Sequence, residues 1–115
     1  MDELKKFYEE REKNIQNLGK DENIRNIAID YIIHTDKYKY SYNYSWLGRP
    51  IIQHPQDILA MQEIIWEIKP DLIIETGIAH GGSMVFYASI LELIGNGEVL
   101  GIDIDIFEFV PHPTS

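Results

Sequence analysis

The chain has 115 residues, of which 44% are hydrophobic and 25% charged, and its formal net charge is −9. These values are typical of one small soluble globular domain with its own core. The sequence contains no cysteine, which excludes disulfides, thiolate metal sites and cysteine nucleophiles. No apolar run reaches the roughly 18 residues of a membrane-spanning helix, and the N-terminus has no signal-peptide core. We therefore expect a cytoplasmic protein without a membrane span.

The excess of negative charge lies in the second half of the chain. Residues 1–50 carry nine Lys or Arg and nine Asp or Glu, whereas residues 51–115 carry one lysine and ten acidic residues. Because phosphate groups bind to clustered cations, this distribution argues against a nucleic-acid partner. It is compatible with a neutral or cationic small ligand.

Apolar residues recur at helical spacing in two N-terminal segments. We predict one helix over residues 2–18, with Gly19 as its end signal. Asp21 is placed to cap a second helix, whose apolar face lies within residues 24–32. Both helices are polar on their other sides, so residues 1–36 are interpreted as a helical cover.

An aromatic segment follows, in which tyrosines alternate with other residues from Tyr38 to Tyr44. A period of two predicts an extended conformation. We interpret residues 37–56 as an aromatic strap and a proline loop that pack on the core or line a ligand pocket. Trp46 and Gln53 are candidates for such a pocket wall, although packing is the better interpretation of both.

The second half of the chain alternates helix and strand. We predict a helix over 58–69 capped by Asp57, a buried strand over 71–75, a helix over 82–94 and a buried strand over 98–105. Strand, helix and strand in this order form a βαβ unit with parallel strands. Two parallel strands leave an open edge and an apolar face, so residues 57–115 are interpreted as the first, incomplete part of a larger α/β domain.

A glycine-rich turn, ETGIAHGGS at residues 75–83, joins the first strand to the following helix. Open α/β sheets bind ligands at this end of their strands. A nucleoside-triphosphate loop requires a lysine at the position of Ser83, and a dinucleotide fingerprint requires a glycine at the position of Ala79. Both classes of ligand are therefore disfavoured. A turn whose glycines serve packing alone stays an alternative.

An acid at the strand end followed by G-x-x-x-G suits S-adenosylmethionine, which carries no phosphate. Glu75, Gly77 and Gly81 fit this pattern. The free N–H groups at the start of the next helix suit the methionyl carboxylate. An acid at the end of the second strand should accept hydrogen bonds from the ribose hydroxyls. Asp103 is preferred for this role, and Asp105 is the alternative.

Three stretches together resemble a known family: WLGRPIIQHPQD at 46–57, QEIIWEIKPDLIIETGIAHGGS at 62–83 and GEVLGIDIDI at 97–106. They are similar to the cephalosporin hydroxylase family, which takes in rhamnosyl O-methyltransferases. The resemblance implies a class I S-adenosylmethionine-dependent O-methyltransferase with a Rossmann-like fold. It also implies that this chain is the N-terminal portion, with the N-terminal helices and the first βαβ unit. The residues that the resemblance places around the cofactor are Glu75, Gly77, Gly81, Gly82 and Ser83, with Asp103 at the ribose.

The same resemblance implies a hydroxyl acceptor and a divalent metal such as Mg²⁺, whose ligands belong to later strands of the family. We therefore predict no metal ligand and assign no catalytic residue in this chain. His80 is the histidine nearest the turn, and a solvent-facing turn residue is the better interpretation of it than a general base. Two hypotheses result: an incomplete O-methyltransferase, active or inactive, and a non-enzymatic remnant that self-associates as a homo-oligomer or docks on a partner.

Overall fold

The computed structural model describes residues 2–104. The chain divides after Tyr38 into two compact units, each of which is described by itself. The last strand, predicted over 98–105, ends at Ile102 in the structure, and Asp105 and the tail after it lie outside the described residues. Within residues 2–104, no helix is both long enough and apolar enough to cross a membrane.

The first unit contains two helices, α1 (Glu3–Lys20) and α2 (Glu22–Asp36), separated by a single residue. That residue, Asp21, has non-helical backbone angles and is both the C-cap of α1 and the N-cap of α2. Its backbone N–H donates to the carbonyl oxygen of Leu18 at 3.2 Å, and its Oδ1 accepts from the N–H of Ile24 at 3.0 Å. The predicted cap at Asp21 is confirmed. The predicted helix end at Gly19 is wrong, because the break falls at the capping aspartate.

The second unit opens with a 3₁₀ helix (Tyr40–Tyr42) and a β-hairpin formed by β1 (Tyr44–Trp46) and β2 (Arg49–Ile51). Leu47 and Gly48 connect the two antiparallel strands with φ angles of 46° and 82°. Two positive φ angles define a type I′ turn, the hairpin turn whose twist matches that of its strands.

The predicted extended conformation is wrong for the first part of the aromatic segment. Lys39 has a left-handed φ of 51°, and its carbonyl oxygen accepts from the N–H of Tyr42 at 2.8 Å, which closes a turn. The ring of Tyr40 meets the ring of Tyr44 edge to face, with centroids 5.3 Å apart. The alternating tyrosines therefore pack on each other across a turn, and the chain becomes extended only at Tyr44.

The remaining elements are α3 (Pro55–Ile68), β3 (Leu72–Thr76), α4 (Gly82–Ile94) and β4 (Glu98–Ile102). Strands β3 and β4 are parallel neighbours, as predicted, in a register from Leu72 opposite Glu98 to Thr76 opposite Ile102. The predicted cap at Asp57 is wrong, because α3 begins at Pro55 with His54 as its N-cap. Proline suits the first helical position, where no N–H is needed. The chain is a mixed helix and sheet protein of the α/β type.

The hydrophobic core of the second unit gathers on one face of α4. It receives one residue each from β2 and α3, and its buried members are Ile51, Ile65, Phe86, Tyr87 and Leu91. Trp46 packs on this core with its ring edge-on to Phe86 at a centroid distance of 4.8 Å. The Trp46 Nε1–H donates to Ser89 Oγ at 3.0 Å. The hairpin is therefore fixed to α4 by aromatic packing and by a satisfied indole N–H.

The two-stranded sheet packs on the core with one face only. Ile73 and Val99 lie against the core cluster. On the opposite face, large apolar side chains are between 49% and 58% exposed: Leu72, Ile74, Leu100 and Ile102. The prediction of buried strands is therefore wrong for every second residue of β3 and β4.

Gly82, the first residue of α4, lies against the backbone of β2. A Cβ built on Gly82 would overlap the carbonyl oxygen of Pro50 and lie 2.8 Å from the Cα of Ile51. These are backbone atoms that cannot turn aside. Helix α4 can approach the hairpin this closely because position 82 has no side chain.

We expect Gly82→Ala to lower the free energy of unfolding by about 1–3 kcal/mol, because the added methyl group must push α4 away from β2. Urea denaturation followed by circular dichroism measures this change. Gly19→Ala is the matched control, since a Cβ at Gly19 in α1 has no heavy atom within 4 Å. It should leave stability unchanged or raise it by up to about 1 kcal/mol. Equal stability of Gly82→Ala and the wild type would contradict the proposed close approach.

Candidate functional site

The glycine turn connects the carboxyl end of β3 to the start of α4. The N–H of Gly77 donates to the carbonyl oxygen of Ile102 at 2.8 Å, which continues the parallel pairing by one residue. The N–H of Ile78 donates to Asp103 Oδ2 at 2.8 Å. The N–H of Gly81 donates to the carbonyl oxygen of Ile78 at 2.8 Å. The structure therefore brings Asp103, 25 residues along the chain, onto the turn.

Three residues of the turn have positive φ angles: Gly77 at 79°, Ala79 at 44° and Gly81 at 86°. Glycine adopts this region without a steric penalty. Alanine does not, and its Cβ costs about 1–2 kcal/mol in a left-handed conformation. Ala79 is therefore a strained position, and contacts elsewhere must hold the turn in this shape.

Helix α4 starts without a side-chain cap. Its N-cap residue is Gly81, which has no side chain to bond to the N–H groups of the first turn. The first N–H groups of any α-helix lack partners within the helix, and they carry a partial positive charge. This end of α4 therefore suits an acceptor group or an anion.

Glu75, near the end of β3, is oriented by two hydroxyl groups of α4. Ser83 Oγ donates to Glu75 Oε1 at 2.6 Å, and the Tyr87 hydroxyl also bonds to this carboxylate. Burial raises the pKa of Tyr87, and the charge and hydrogen bond of Glu75 raise it further. The phenol is therefore a donor to Glu75, and the carboxylate is held in one orientation by two charge-assisted bonds.

A cavity of about 210 Å³ lies over the turn. Residues 75–79 line one side of it together with Gly82 and Ser83, and Pro50, Ile52 and Gln53 line the other. Pockets that hold a whole drug-sized ligand have volumes of about 300–1,000 Å³. The cavity therefore has the size for one end of such a ligand.

The predicted cofactor residues all lie on or next to this turn. Glu75, Gly77, Gly82 and Ser83 line the cavity. Gly81 caps α4, and Asp103 bonds to the turn backbone. Gln53 lines the cavity, whereas Trp46 packs on the core and does not line it. His80 is an exposed turn residue.

Sequence reasoning missed Arg49. Its Nη2–H donates to the carbonyl oxygen of His80 at 2.7 Å, so a cation of the hairpin reaches the glycine turn. The charge count places this residue in the first half of the chain, 31 residues before its partner. The signal that could have found it is the Leu47–Gly48 pair, since a two-residue hairpin turn folds β2 back beside β1.

The described residues offer no metal site. In residues 2–104, no three histidine, aspartate or glutamate side chains lie close enough together to share an ion. The donor set within residues 2–104 therefore does not fit a divalent metal.

These features define a class of protein: an α/β domain with a parallel βαβ unit, whose glycine-rich turn lines a small, polar cavity at the strand ends. The family model for rhamnosyl O-methyltransferase/CmcI matches residues 38–113. The chain belongs to this family, which confirms the resemblance found in its sequence.

Individual relatives match about half of the chain. It is 38% identical over 61 residues to a rhamnosyl O-methyltransferase of Mycobacterium leprae (strain TN), which covers 52% of this chain and 27% of the relative. Rhamnosyl O-methyltransferases of Mycobacterium bovis (strain BCG / Pasteur 1173P2) and Mycobacterium tuberculosis (strain ATCC 25618 / H37Rv) are 44% identical over 60 residues, covering 51% of this chain and 24% of each relative. The aligned part thus spans about a quarter of the length of these relatives. No solved structure matches the chain.

The raised pKa of Tyr87 predicts a pH dependence of stability. The folded state holds the phenol proton more tightly than the unfolded state, so the protonated phenol contributes to stability. This contribution is complete below the ordinary pKa of 10.0 and is lost as pH rises through the folded pKa. Urea denaturation at increasing pH should therefore show that the free energy of unfolding falls above pH 10.0, and that it falls less steeply in Tyr87→Phe than in the wild type. Tyr42→Phe removes an exposed tyrosine and should keep the wild-type decline. The same decline in all three proteins would contradict the raised pKa of Tyr87, which comes mainly from its burial and further from Glu75.

Proposed function

We propose that this chain supplies the S-adenosylmethionine-binding part of an O-methyltransferase that acts on a hydroxyl acceptor. The observation that carries the proposal is the glycine turn, which joins two acidic side chains, Glu75 and Asp103, to the uncapped start of α4. We further propose a Rossmann-like methyltransferase fold. Residues 57–115 would form the first part of its cofactor domain, residues 1–36 a helical cover and residues 37–56 the strap.

The carboxylate end of the cofactor suits the start of α4. The N–H groups of the first turn lack a side-chain cap, and the positive φ of Gly81 turns the backbone into the helix without a Cβ in the way. Partial positive charge at this helix end favours a carboxylate. Gly82 lines the cavity as well, and its missing side chain also makes room for β2.

The cofactor ammonium suits Glu75. This carboxylate lines the cavity and accepts from Ser83 and Tyr87. An ionised carboxylate has about four lone-pair positions, so two such bonds orient it and leave acceptor capacity. In this proposal Ser83 acts by orienting Glu75.

The ribose diol suits Asp103. This residue directly follows β4, and its Oδ2 already accepts from the N–H of Ile78. The bond fixes the carboxylate relative to the turn, so the distance between the two ends of the ligand is set by the backbone. The alternative, Asp105, lies outside the described residues.

When bound, S-adenosylmethionine supplies an electrophilic methyl group for transfer to an oxygen nucleophile. The residues of this chain contribute binding and orientation, which lower the barrier by holding the reactants in line. No described residue is assigned as the general base. We propose that the base, the acceptor pocket and any metal ligands belong to the remaining length by which the curated relatives exceed this chain.

Calorimetric titration of S-adenosylmethionine into the purified chain tests the proposal. We expect saturable binding that Gly81→Asp weakens by at least about tenfold, because an acid at the N-cap competes with the ligand carboxylate for the same N–H groups. Aspartate is among the residues that tolerate the left-handed φ of position 81, so the variant should stay folded.

Gly81→Asn is the matched control, since asparagine has the same shape, tolerates a left-handed φ and carries no charge. It should bind more tightly than Gly81→Asp. A folded wild-type chain that binds no S-adenosylmethionine would overturn the proposed function.

A second candidate, self-association of this chain, is favoured by the apolar sheet face of Leu72, Ile74, Leu100 and Ile102. Contiguous exposed apolar patches mark association surfaces. Sedimentation velocity at increasing concentration should show a larger species that Ile74→Lys reduces. Leu93→Lys changes a single exposed leucine of α4, 84% exposed, and should leave association unchanged. A wild-type monomer at all concentrations would contradict this candidate.

A further inference from the structure

Arg49 links the hairpin to the glycine turn. It is the first residue of β2 and is half-buried. Its Nη2–H donates to the carbonyl oxygen of His80 at 2.7 Å, and the same atom lies 3.7 Å from the position that a Cβ on Gly81 would occupy. The guanidinium therefore lies beside the last two residues before α4.

The other cations of the described second unit lie elsewhere. Lys69 stacks over the ring of Trp66 at 3.7 Å and donates to its carbonyl oxygen at 2.7 Å. Lys39 lies over the ring of Tyr42 at 5.9 Å. Of the three cations in residues 39–104, Arg49 is the one whose described contacts reach the turn.

The attachment of the hairpin to α4 does not depend on Arg49. Ile51 is buried in the core at 1% exposure, and Trp46 bonds to Ser89. Gly82 lies against the β2 backbone. With the hairpin fixed by these contacts, the bond from Arg49 acts mainly on the carbonyl that accepts it.

We propose that Arg49 is a positioning residue for the carboxylate end of the bound cofactor. By holding the His80 carbonyl, it keeps the strained Ala79 turn in one conformation and aims the N–H groups at the start of α4 towards the cavity. Its charge adds to the positive potential of the helix end. The inference rests on the proposed function.

Binding of two ligands by variants of the chain tests this role. 5′-Methylthioadenosine shares the adenosine part of S-adenosylmethionine and lacks its amino-acid end. We expect Arg49→Met to weaken S-adenosylmethionine binding by about tenfold or more and to leave 5′-methylthioadenosine binding unchanged. Arg49→Lys should recover part of the lost affinity, because it restores the charge and one donor.

Lys69→Met removes a cation away from the turn and should bind both ligands as the wild type does. The urea midpoint of each variant, measured in parallel, shows whether it is folded. Equal weakening of both ligands by Arg49→Met would assign Arg49 a general structural role and overturn the inference. Unchanged binding of both ligands would also overturn it, with the proposed function intact. A wild-type chain that binds neither ligand would overturn the proposed function and this inference with it.

Discussion

The close contact between the first residue of α4 and the backbone of β2 is the constraint on which the second unit depends. Only a hydrogen fits between Gly82 and the Pro50–Ile51 peptide. This contact fixes the depth of α4 against the hairpin. The same helix then carries Phe86 and Leu91 into the core and presents Ser83 to Glu75. Packing and site geometry therefore follow from one backbone approach.

The glycine turn is held from both sides by elements far apart in the sequence. From β4, Asp103 accepts the N–H of Ile78, and from β2, Arg49 donates to the carbonyl of His80. One bond uses a donor of the turn and the other uses an acceptor. One backbone donor and one backbone acceptor of the turn are thereby satisfied, and the strained Ala79 lies between the two anchored residues.

Local signals in the sequence were sufficient to predict the helix and the two parallel strands of the βαβ unit. Glycines at both ends of α4 and the apolar run between them predicted its bounds, and the short apolar runs on either side predicted the strands. Caps were less predictable, since Asp57 competes with a proline that suits the first helical turn better. The alternating tyrosines led to a wrong prediction of an extended segment. Aromatic side chains at i and i+4, such as Tyr40 and Tyr44, also meet across a tight turn.

The candidate site was predicted only in part, for a physical reason. Glu75 and Asp103 follow directly from the strand ends, where parallel strands place their last residues together. Arg49 reaches the turn because tertiary contacts decide where its hairpin packs. The steric role of Gly82 depends on β2, whose Ile51 lies 31 residues earlier in the chain. The Leu47–Gly48 pair signals the hairpin, but no local pattern encodes where the hairpin packs against the turn and α4. The family match, by contrast, rests on the order of motifs and was accessible from sequence.

The anchoring of the turn at both ends fixes how this segment can vary. An insertion of one residue between Glu75 and Gly82 would rotate α4 by about 100° about its axis. Gly81 would then take the place of Gly82 against β2, and Val85 would take the place of Phe86 in the core. The length of the turn is therefore constrained as strictly as the identity of a buried residue. The identities of exposed turn residues such as His80 can vary without changing this length.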